Sequence, residues 1–391
     1  MLPLEGMQVL DLSQMLPGGL CTQILADLGA DVIKIENPQG GDGFRNAPPR
    51  IGANGSFFHI LNRNKKSITL NIKKPEGRDI FLKMAAHADV IIENGRPGAM
   101  KKMGLAYEDM QSLNSRMVYC SLTGFGQTGP YRERPAHDIN ILAISGILDL
   151  LGEKGRPPIV PPILISGAGG GGINAALCIM AALLRRERTG KGQYLDVSIL
   201  DGLSPFLALM MSEYFACKKA PVRGESRIGG GHACYNIYET SDGKFIAIGC
   251  LEEKFWDELC RCLKTEDLIK DLTAPLPRQT EMIQELRIIF LRKTREEWLT
   301  ILDKYDICFS PVNSLPEALD DPHIQHRGLW FQTSHPTDGE IPQQSFPVKF
   351  SQDQPELRIP PPLLGEHTQE ILKALGYDES AIERLRTTGV V

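Results

Sequence analysis

Residues 7–36 read MQVLDLSQMLPGGLCTQILADLGADVIKIE, and this stretch decides the fold class. Its two apolar segments, 7–12 and 31–35, predict buried strands, and residues 18–28 between them predict a helix that ends near Gly29. A strand, a helix and a second strand in this order are typical of a parallel sheet covered by helices. The chain therefore begins as an α/β protein.

The same alternation continues along the next hundred residues. A helix is predicted at 75–86, with Pro75 in its first turn, and the further strands are predicted at 90–93, 117–121 and 193–198. Ligands of such sheets bind beyond the carboxyl ends of the strands. We therefore expect a site in the turns that follow the strands, at residues 13–19, 37–42, 94–98 and 124–130.

A second region begins near Gly224 and has a different pattern. Two strands flank the turn Ser241-Asp242-Gly243, and several helical segments follow, which predicts a smaller α+β unit. Its predicted elements are strands 233–239 and 244–250 and helices 253–263, 281–291 and 295–305. A proline-rich stretch then leads into a last predicted helix at 366–375.

Composition excludes several classes of protein. The formal net charge of −5 provides no basic field for nucleic acid. Nine scattered cysteines do not form a disulfide framework, and Cys260-x-Cys262 lacks the second pair of a zinc site, so we expect no metal. The apolar stretches fall short of a membrane span and the N-terminus lacks a signal-peptide pattern, which predicts a soluble cytoplasmic protein without membrane contact.

Glycine motifs for nucleotides are missing. No G-x-G-x-x-G follows the first strand, and no G-x-x-x-x-G-K-[ST] occurs. Gly169–Gly172 precedes a helix, where it fits either close packing of the backbone or contact with a ligand. Both interpretations stay open at this point.

Several ordered stretches resemble family III CoA-transferases and the α-methylacyl-CoA racemases that share their fold. They include residues 9–36, NRNKKSITLNIKKPEGR (62–78), ENGRPGAMKKMGL (93–105), SLTGFGQTGPYRERPAHDINILAISG (121–146), DICFSPVNSLPEALDDPHIQHRG (306–328) and PPLLGEHTQEILKALGY (361–377). The resemblance implies a Rossmann-like large domain with a parallel sheet, a smaller α+β domain and an interlocked dimer. We accordingly expect a large CoA-binding domain at 1–205, a small domain at 224–325, and a segment at 330–391 that returns to the large domain.

By the same resemblance, loops after the strands hold coenzyme A or acyl-CoA, the expected substrate. The matching positions are Leu16, Asn37, Lys66, Leu70, Asn71, Asn94, Arg96, Lys102, Ala136 and His137. Lys and Arg suit the phosphates of CoA. Asn37 stands where the family commonly has an arginine, and Lys65 and Lys66 are candidates to compensate. The loop at 224–232 (GESRIGGGH) is expected to face the acyl group, whose identity the sequence does not define.

The catalytic aspartate of the family is missing. In the family pattern L-L-A-D-F-x-G-G-G it precedes the glycine run, and here Gly167 takes its place. The transferases use this aspartate as a nucleophile and the racemases use it as a base. His137 matches the second racemase base and Glu252 matches the residue that supports it. Ser166 is adjacent to Gly167, but the sequence assigns it no base.

Three hypotheses account for Gly167. The first is a subunit of a heteromeric CoA-transferase, resembling benzylsuccinate CoA-transferases, which moves CoA from succinyl-CoA or a similar donor to a carboxylic acid and is active only with a homologous subunit that supplies the aspartate. The second is a racemase- or epimerase-like enzyme with altered catalytic groups. The third is a non-catalytic acyl-CoA-binding protein. A glycine introduced by mutagenesis is disfavoured because Ser166 and Ala168 also depart from the pattern.

Overall fold

The computed structural model describes residues 1–391 and contains thirteen strands. In chain order they are β1 (Gln8–Asp11), β2 (Asp31–Glu36), β3 (Arg50–Ile51), β4 (Asn54–Gly55), β5 (Lys65–Thr69), β6 (Val90–Glu93), β7 (Val118–Thr123), β8 (Gln193–Ser198), β9 (Tyr235–Glu239), β10 (Phe245–Gly249), β11 (Phe309–Pro311), β12 (Trp330–His335) and β13 (Gly339–Gln344).

Seventeen α-helices accompany the strands. They are α1 (Met15–Asp27), α2 (Gly43–Asn46), α3 (Ser56–Leu61), α4 (Pro75–Ala85), α5 (Ala99–Lys102), α6 (Tyr107–Leu113), α7 (Asp138–Ser145), α8 (Ile147–Leu150), α9 (Asn174–Thr189), α10 (Ala208–Cys217), α11 (Glu253–Leu263), α12 (Leu276–Phe290), α13 (Arg295–Leu302), α14 (Leu315–Leu319), α15 (Pro322–Arg327), α16 (Thr368–Ala374) and α17 (Glu379–Thr387). A π-helix (Ser166–Ile173) leads into α9, and two short 3-10 helices lie at Asp201–Leu207 and Glu266–Asp271.

A six-stranded parallel sheet forms the larger of two compact units, which comprises residues 1–144, 163–205 and 322–391. Its strand order is β5-β2-β1-β6-β7-β8, and every neighbouring pair is parallel. The central strands β1 and β6 are almost wholly buried, as expected when helices cover both faces. The predicted α/β class is confirmed.

Most predicted elements of this unit recur within a few residues, and β6 and β8 have the predicted bounds. Several elements of this unit were not predicted, and two of them contribute to its main apolar core. The edge strand β5 begins with two lysines, and α17 follows the last predicted helix. Ile382 and Leu385 of α17 pack into the same apolar core as Ile68 of β5.

The smaller unit comprises residues 145–162 and 206–321. Its three-stranded antiparallel sheet has the order β11-β10-β9, and α11, α12 and α13 pack against it. Trp256 lies fully buried at the centre, and the rings of Tyr238 and Phe290 stack with their centroids 4.9 Å apart. Residues 145–162 belong to this unit, a segment that the sequence analysis assigned to the large domain.

Buried charges lie where β1, β2 and β5 run side by side. Asp11 is fully buried; it accepts hydrogen bonds from Ser13 and Thr22 and lies 3.8 Å and 3.5 Å from the ammonium groups of Lys34 and Lys65. Burial raises the pKa of Asp11, but the two lysines outweigh burial and leave the pKa below its usual value. The carboxylate therefore compensates two cations that have no access to water.

Replacing Asp11 with alanine tests this compensation. We expect Asp11→Ala to lower the free energy of unfolding by about 3–5 kcal/mol, because Lys65 loses its carboxylate partner and Lys34 keeps only Asp42. Urea unfolding measures the change, with Asp79→Ala, an exposed carboxylate on α4, as the matched control. Equal midpoints for both variants would contradict a structural role for Asp11.

A second polar cluster joins the β3–β4 hairpin to the β12–β13 hairpin. His59 Nε2 lies 3.0 Å from the Ile51 carbonyl oxygen and 3.2 Å from Asp338, whose carboxylate also accepts from Ala53 N and Asn54 Nδ2. His335 completes the group, which has the donor types of a metal site. Both oxygens of Asp338, both ring nitrogens of His335 and Nε2 of His59 already have hydrogen-bond partners within the chain, so these bonds join the two hairpins. The buried Nδ1 of His59 has no such partner.

Protonation of the His59 ring makes the stability of the folded chain depend on pH. Burial is the main cause that lowers its pKa below 6.5, so the unfolded chain takes up a proton at a higher pH than the folded chain does. Stability is therefore lost as the pH falls below about 6.5. We expect the drop in Tm between pH 7.5 and pH 5.5 to be smaller in His59→Gln than in the wild type. An equal drop in both proteins would contradict this assignment.

Candidate active site

Nearly all predicted CoA-binding positions lie beyond the carboxyl ends of the parallel strands. Leu16 follows β1, Asn37 follows β2, Leu70 and Asn71 follow β5, Asn94 and Arg96 follow β6, Lys102 ends α5, and Ala136 and His137 come after β7. Lys66 differs, because it lies at the amino end of β5, where its ammonium group pairs with Asp31 (3.7 Å) and Glu370 (3.3 Å). One edge of the sheet thus holds all of these positions except Lys66.

The loop after β1 is held in an uncommon conformation. Met15 has a φ of 62°, and its backbone N–H donates to the Asp42 carboxylate at 3.1 Å. Lys34 donates to the Ser13 carbonyl oxygen and pairs with Asp42, while the Asn94 side chain bonds both backbone groups of Gln14. A backbone conformation that is uncommon and held by several hydrogen bonds is often found at functional sites.

Gly167 lies against this loop. The three nearest atoms to a Cβ placed at Gly167 would be Leu16 Cδ2 at 3.2 Å, Pro17 Cγ at 3.5 Å and Asp138 Oδ1 at 3.6 Å. The Asp138 carboxylate accepts hydrogen bonds from Ser166 Oγ at 2.5 Å and from Gly167 N at 2.8 Å. The structure therefore brings Leu16 and Gly167 together, and it adds Asp138, which the sequence analysis did not select.

The glycine run after Gly167 packs closely against neighbouring backbone. A Cβ at Gly170 would lie 2.5 Å from the Ile199 carbonyl oxygen, and one at Gly172 would lie 2.8 Å from the Pro17 carbonyl oxygen. Of the two interpretations of Gly169–Gly172, close packing accounts for these positions. The run from Ser166 to Thr189 is long and apolar enough to cross a membrane, but half of its apolar window is buried within the chain, which is also typical of a core helix.

His137 and Glu252 occupy different units. His137 is exposed and directly precedes α7, and its backbone N–H donates to the Asn140 side chain in the first turn of that helix. Glu252 is also exposed, directly before α11 in the smaller unit. Their roles as base and supporting residue stay predictions.

The candidate cations for CoA differ in availability. Arg96 and Lys102 are exposed and form no ion pair within the chain, as a phosphate-binding residue requires. Lys65 is fully buried and donates to the Gly19 carbonyl oxygen and to Asn62, so it is not available to compensate for Asn37. Burial lowers the pKa of Lys65 to about 8, although Asp11 opposes this change.

The loop at 224–232 lines a cavity of about 1420 Å³ within the smaller unit. Ile228 and Tyr235 give this cavity apolar walls, and Glu225 and Arg287 add charged groups. The expectation that this loop faces an acyl group stays a prediction.

The chain belongs to CoA-transferase family III, because the sequence model of this family matches residues 4–368. It is 36% identical to a Mus musculus succinyl-CoA:glutarate CoA-transferase, over all of this chain and 91% of that protein. It is 34% identical to a Homo sapiens α-methylacyl-CoA racemase, over 99% of this chain and 97% of that protein. Relatives of this chain are therefore named for two different reactions, CoA transfer and racemisation.

A solved structure supports the fold over nearly the whole chain. The crystal structure of a CAIB/BAIF family protein from Brucella suis superposes with a TM-score of 0.84 at 33% identity, covering 96% of this chain and 99% of that chain. The six-stranded parallel sheet and the smaller antiparallel sheets thus match the architecture of the family.

A carboxylate introduced at position 167 tests the geometry around Asp138. In Gly167→Asp two ionised carboxylates would repel each other, and protonation relieves this repulsion. We expect Gly167→Asp to have a lower Tm than Gly167→Asn at pH 8, and we expect this difference to become smaller at a pH of about 4. Asn is the matched control because it has the same shape without the charge; an equal Tm at both pH values would contradict the predicted proximity.

Proposed function

We propose that this chain is the subunit without a nucleophile in a heteromeric family III CoA-transferase. A homologous subunit would supply the aspartate, and the pair would move CoA from succinyl-CoA or a similar donor to a carboxylic acid. The observation that carries the proposal is the glycine at position 167 in a chain that matches the family over residues 4–368. A side chain without a carboxylate cannot form the acyl anhydride of this reaction.

Exposed apolar surfaces support a protein partner. In the larger unit, Ile173, Leu177 and Leu184 are each more than half exposed on the helix that follows Gly167. In the smaller unit, α10 has no buried residue, and Leu209 and Phe215 are 67% and 58% exposed. Large apolar side chains exposed on a helix are typical of surfaces that contact another protein. A homologous subunit is the occupant we propose for it.

The partner's aspartate would begin the reaction at the thioester carbonyl carbon. Its carboxylate oxygen forms a bond to this carbon while the carbon–sulfur bond breaks, so that CoA leaves as a thiolate and an acyl anhydride remains. The thiolate attacks the aspartyl carbonyl carbon, whose bond to the anhydride oxygen breaks and frees the donor acid. The acceptor carboxylate then displaces the thiolate from this aspartyl thioester. The thiolate finally attacks the acceptor's carbonyl carbon, which gives the new CoA thioester and restores the aspartate. In this chain, exposed Arg96 and Lys102 would bind the phosphates of CoA.

The acyl donor and the compartment are part of the same proposal. A succinyl donor is suggested by the name of the mouse relative. All nine cysteines are free, which is typical of a reducing cytoplasm, and we place the enzyme there.

Co-expression with a homologous subunit that carries the aspartate tests the proposal. We expect no transfer from succinyl-CoA to carboxylic acids by this chain alone and transfer by the co-purified pair, measured by chromatography of CoA thioesters. Native mass spectrometry reports the stoichiometry of the pair. Alanine in place of the partner's aspartate is the control and should abolish transfer. Full activity of this chain alone would contradict the proposal.

A further inference from the structure

The chain between β7 and α7 forms a loop whose two ends lie close together. A Cβ placed at Gly124, directly after β7, would lie 3.7 Å from Cβ of Ala136. Within the loop, the backbone N–H of Gln127 donates to both carboxylate oxygens of Asp196 in β8, at 3.0 Å and 3.1 Å. Compact loops with close ends frequently carry functional residues. This loop is therefore held at the carboxyl edge of the sheet, where ligands of such folds bind.

Three side chains of this loop pack against one another. The Tyr131 ring packs edge-to-face with the Phe125 ring, and their centroids are 5.7 Å apart. The Arg134 guanidinium lies over the Tyr131 ring, 3.8 Å from its centroid, and the Arg134 backbone N–H donates to the Tyr131 carbonyl oxygen at 2.8 Å. A guanidinium is attracted to the face of an aromatic ring, and the contact restricts its plane. The orientation of Arg134 is thus set before a ligand binds.

The N–H donors of the Arg134 side chain have no partner within the chain. Arg134 is exposed and forms no ion pair, whereas the adjacent Arg132 pairs with Glu133 at 3.2 Å. Arg45 also lies over an aromatic ring, but it is buried and pairs with Glu36 at 2.7 Å. Arg134 is therefore the one guanidinium of this chain that is stacked on a ring and still available to an anion from solution.

We propose that Arg134 binds the terminal carboxylate of a dicarboxylic acyl group, so that this chain selects acyl-CoA thioesters of that chemical class. The inference deepens the proposed function and rests on it for acyl-CoA binding. The planar guanidinium matches the two oxygens of a carboxylate, and a restricted plane reduces the entropy lost on binding. Arg134 comes just before Ala136 and His137, which are expected to contact CoA. The phosphates of CoA have the same charge, and a comparison of two thioesters separates these two anions.

Succinyl-CoA and butyryl-CoA, which have the same number of acyl carbons, test this selectivity. Isothermal titration calorimetry of the purified chain should give a Kd roughly tenfold lower for succinyl-CoA, because bidentate charge-assisted hydrogen bonds are strong. Arg134→Gln should raise the Kd of succinyl-CoA by roughly tenfold and that of butyryl-CoA by less than about twofold, since only the first thioester has the carboxylate. Arg132→Gln, an exposed arginine of the same loop, is the matched control and should bind both thioesters as the wild type does.

Substitutions of Tyr131 test the stacked ring separately from the charge. Tyr131→Leu should reduce the preference for succinyl-CoA although Arg134 is retained, and Tyr131→Phe, which keeps the ring, should preserve the preference.

Equal weakening of both thioesters in Arg134→Gln would assign Arg134 to a phosphate of CoA and overturn the proposal. Unchanged binding in Arg134→Gln, or no binding of either thioester by the wild type, would overturn it as well. Selective binding without transfer by the co-purified pair would reject the proposed function alone. Transfer by the pair together with equal Kd values for the two thioesters would reject this inference alone.

Discussion

The structure depends on the compensation of charges beneath the loop after β1. Asp11, Lys34 and Lys65 are fully buried, and Lys34 extends the network to Asp42 and the Ser13 carbonyl oxygen. Charges without water require partners with good geometry, so this network allows little freedom in the loop. The left-handed Met15 and the position of Pro17 follow from it, and Pro17 forms one side of the candidate site.

A second constraint is the close approach of backbones at the glycine run. Gly170 and Gly172 lie so near to the carbonyl oxygens of Ile199 and Pro17 that a side chain would not fit. Gly167 is less restricted, since a Cβ there would meet mainly the flexible end of Leu16. Packing thus requires glycine at positions 170 and 172, whereas packing alone does not require glycine at position 167.

The sequence predicted the sheet well because its strands are apolar and separated by clear helical segments. It missed β5, where Lys65 is buried through partners that are distant in sequence, and α17, which follows the last predicted helix. At the site, the resemblance indicated Gly167 and Leu16. It did not indicate Asp138, because the bonds from this carboxylate reach residues 28 and 29 positions along the chain, and no local pattern encodes such a contact.

Asp138 anchors the 166–167 turn without using the side chain of residue 167, so this position can vary among related chains. The carboxylate satisfies backbone and hydroxyl donors at the start of a helix, and this stabilisation is independent of the side chain at position 167. A duplicated gene can therefore exchange its nucleophile for glycine while the encoded chain still folds. The chemistry that position 167 offers can thus change from one relative to another on an unchanged backbone, because the bonds that hold this turn do not pass through that side chain.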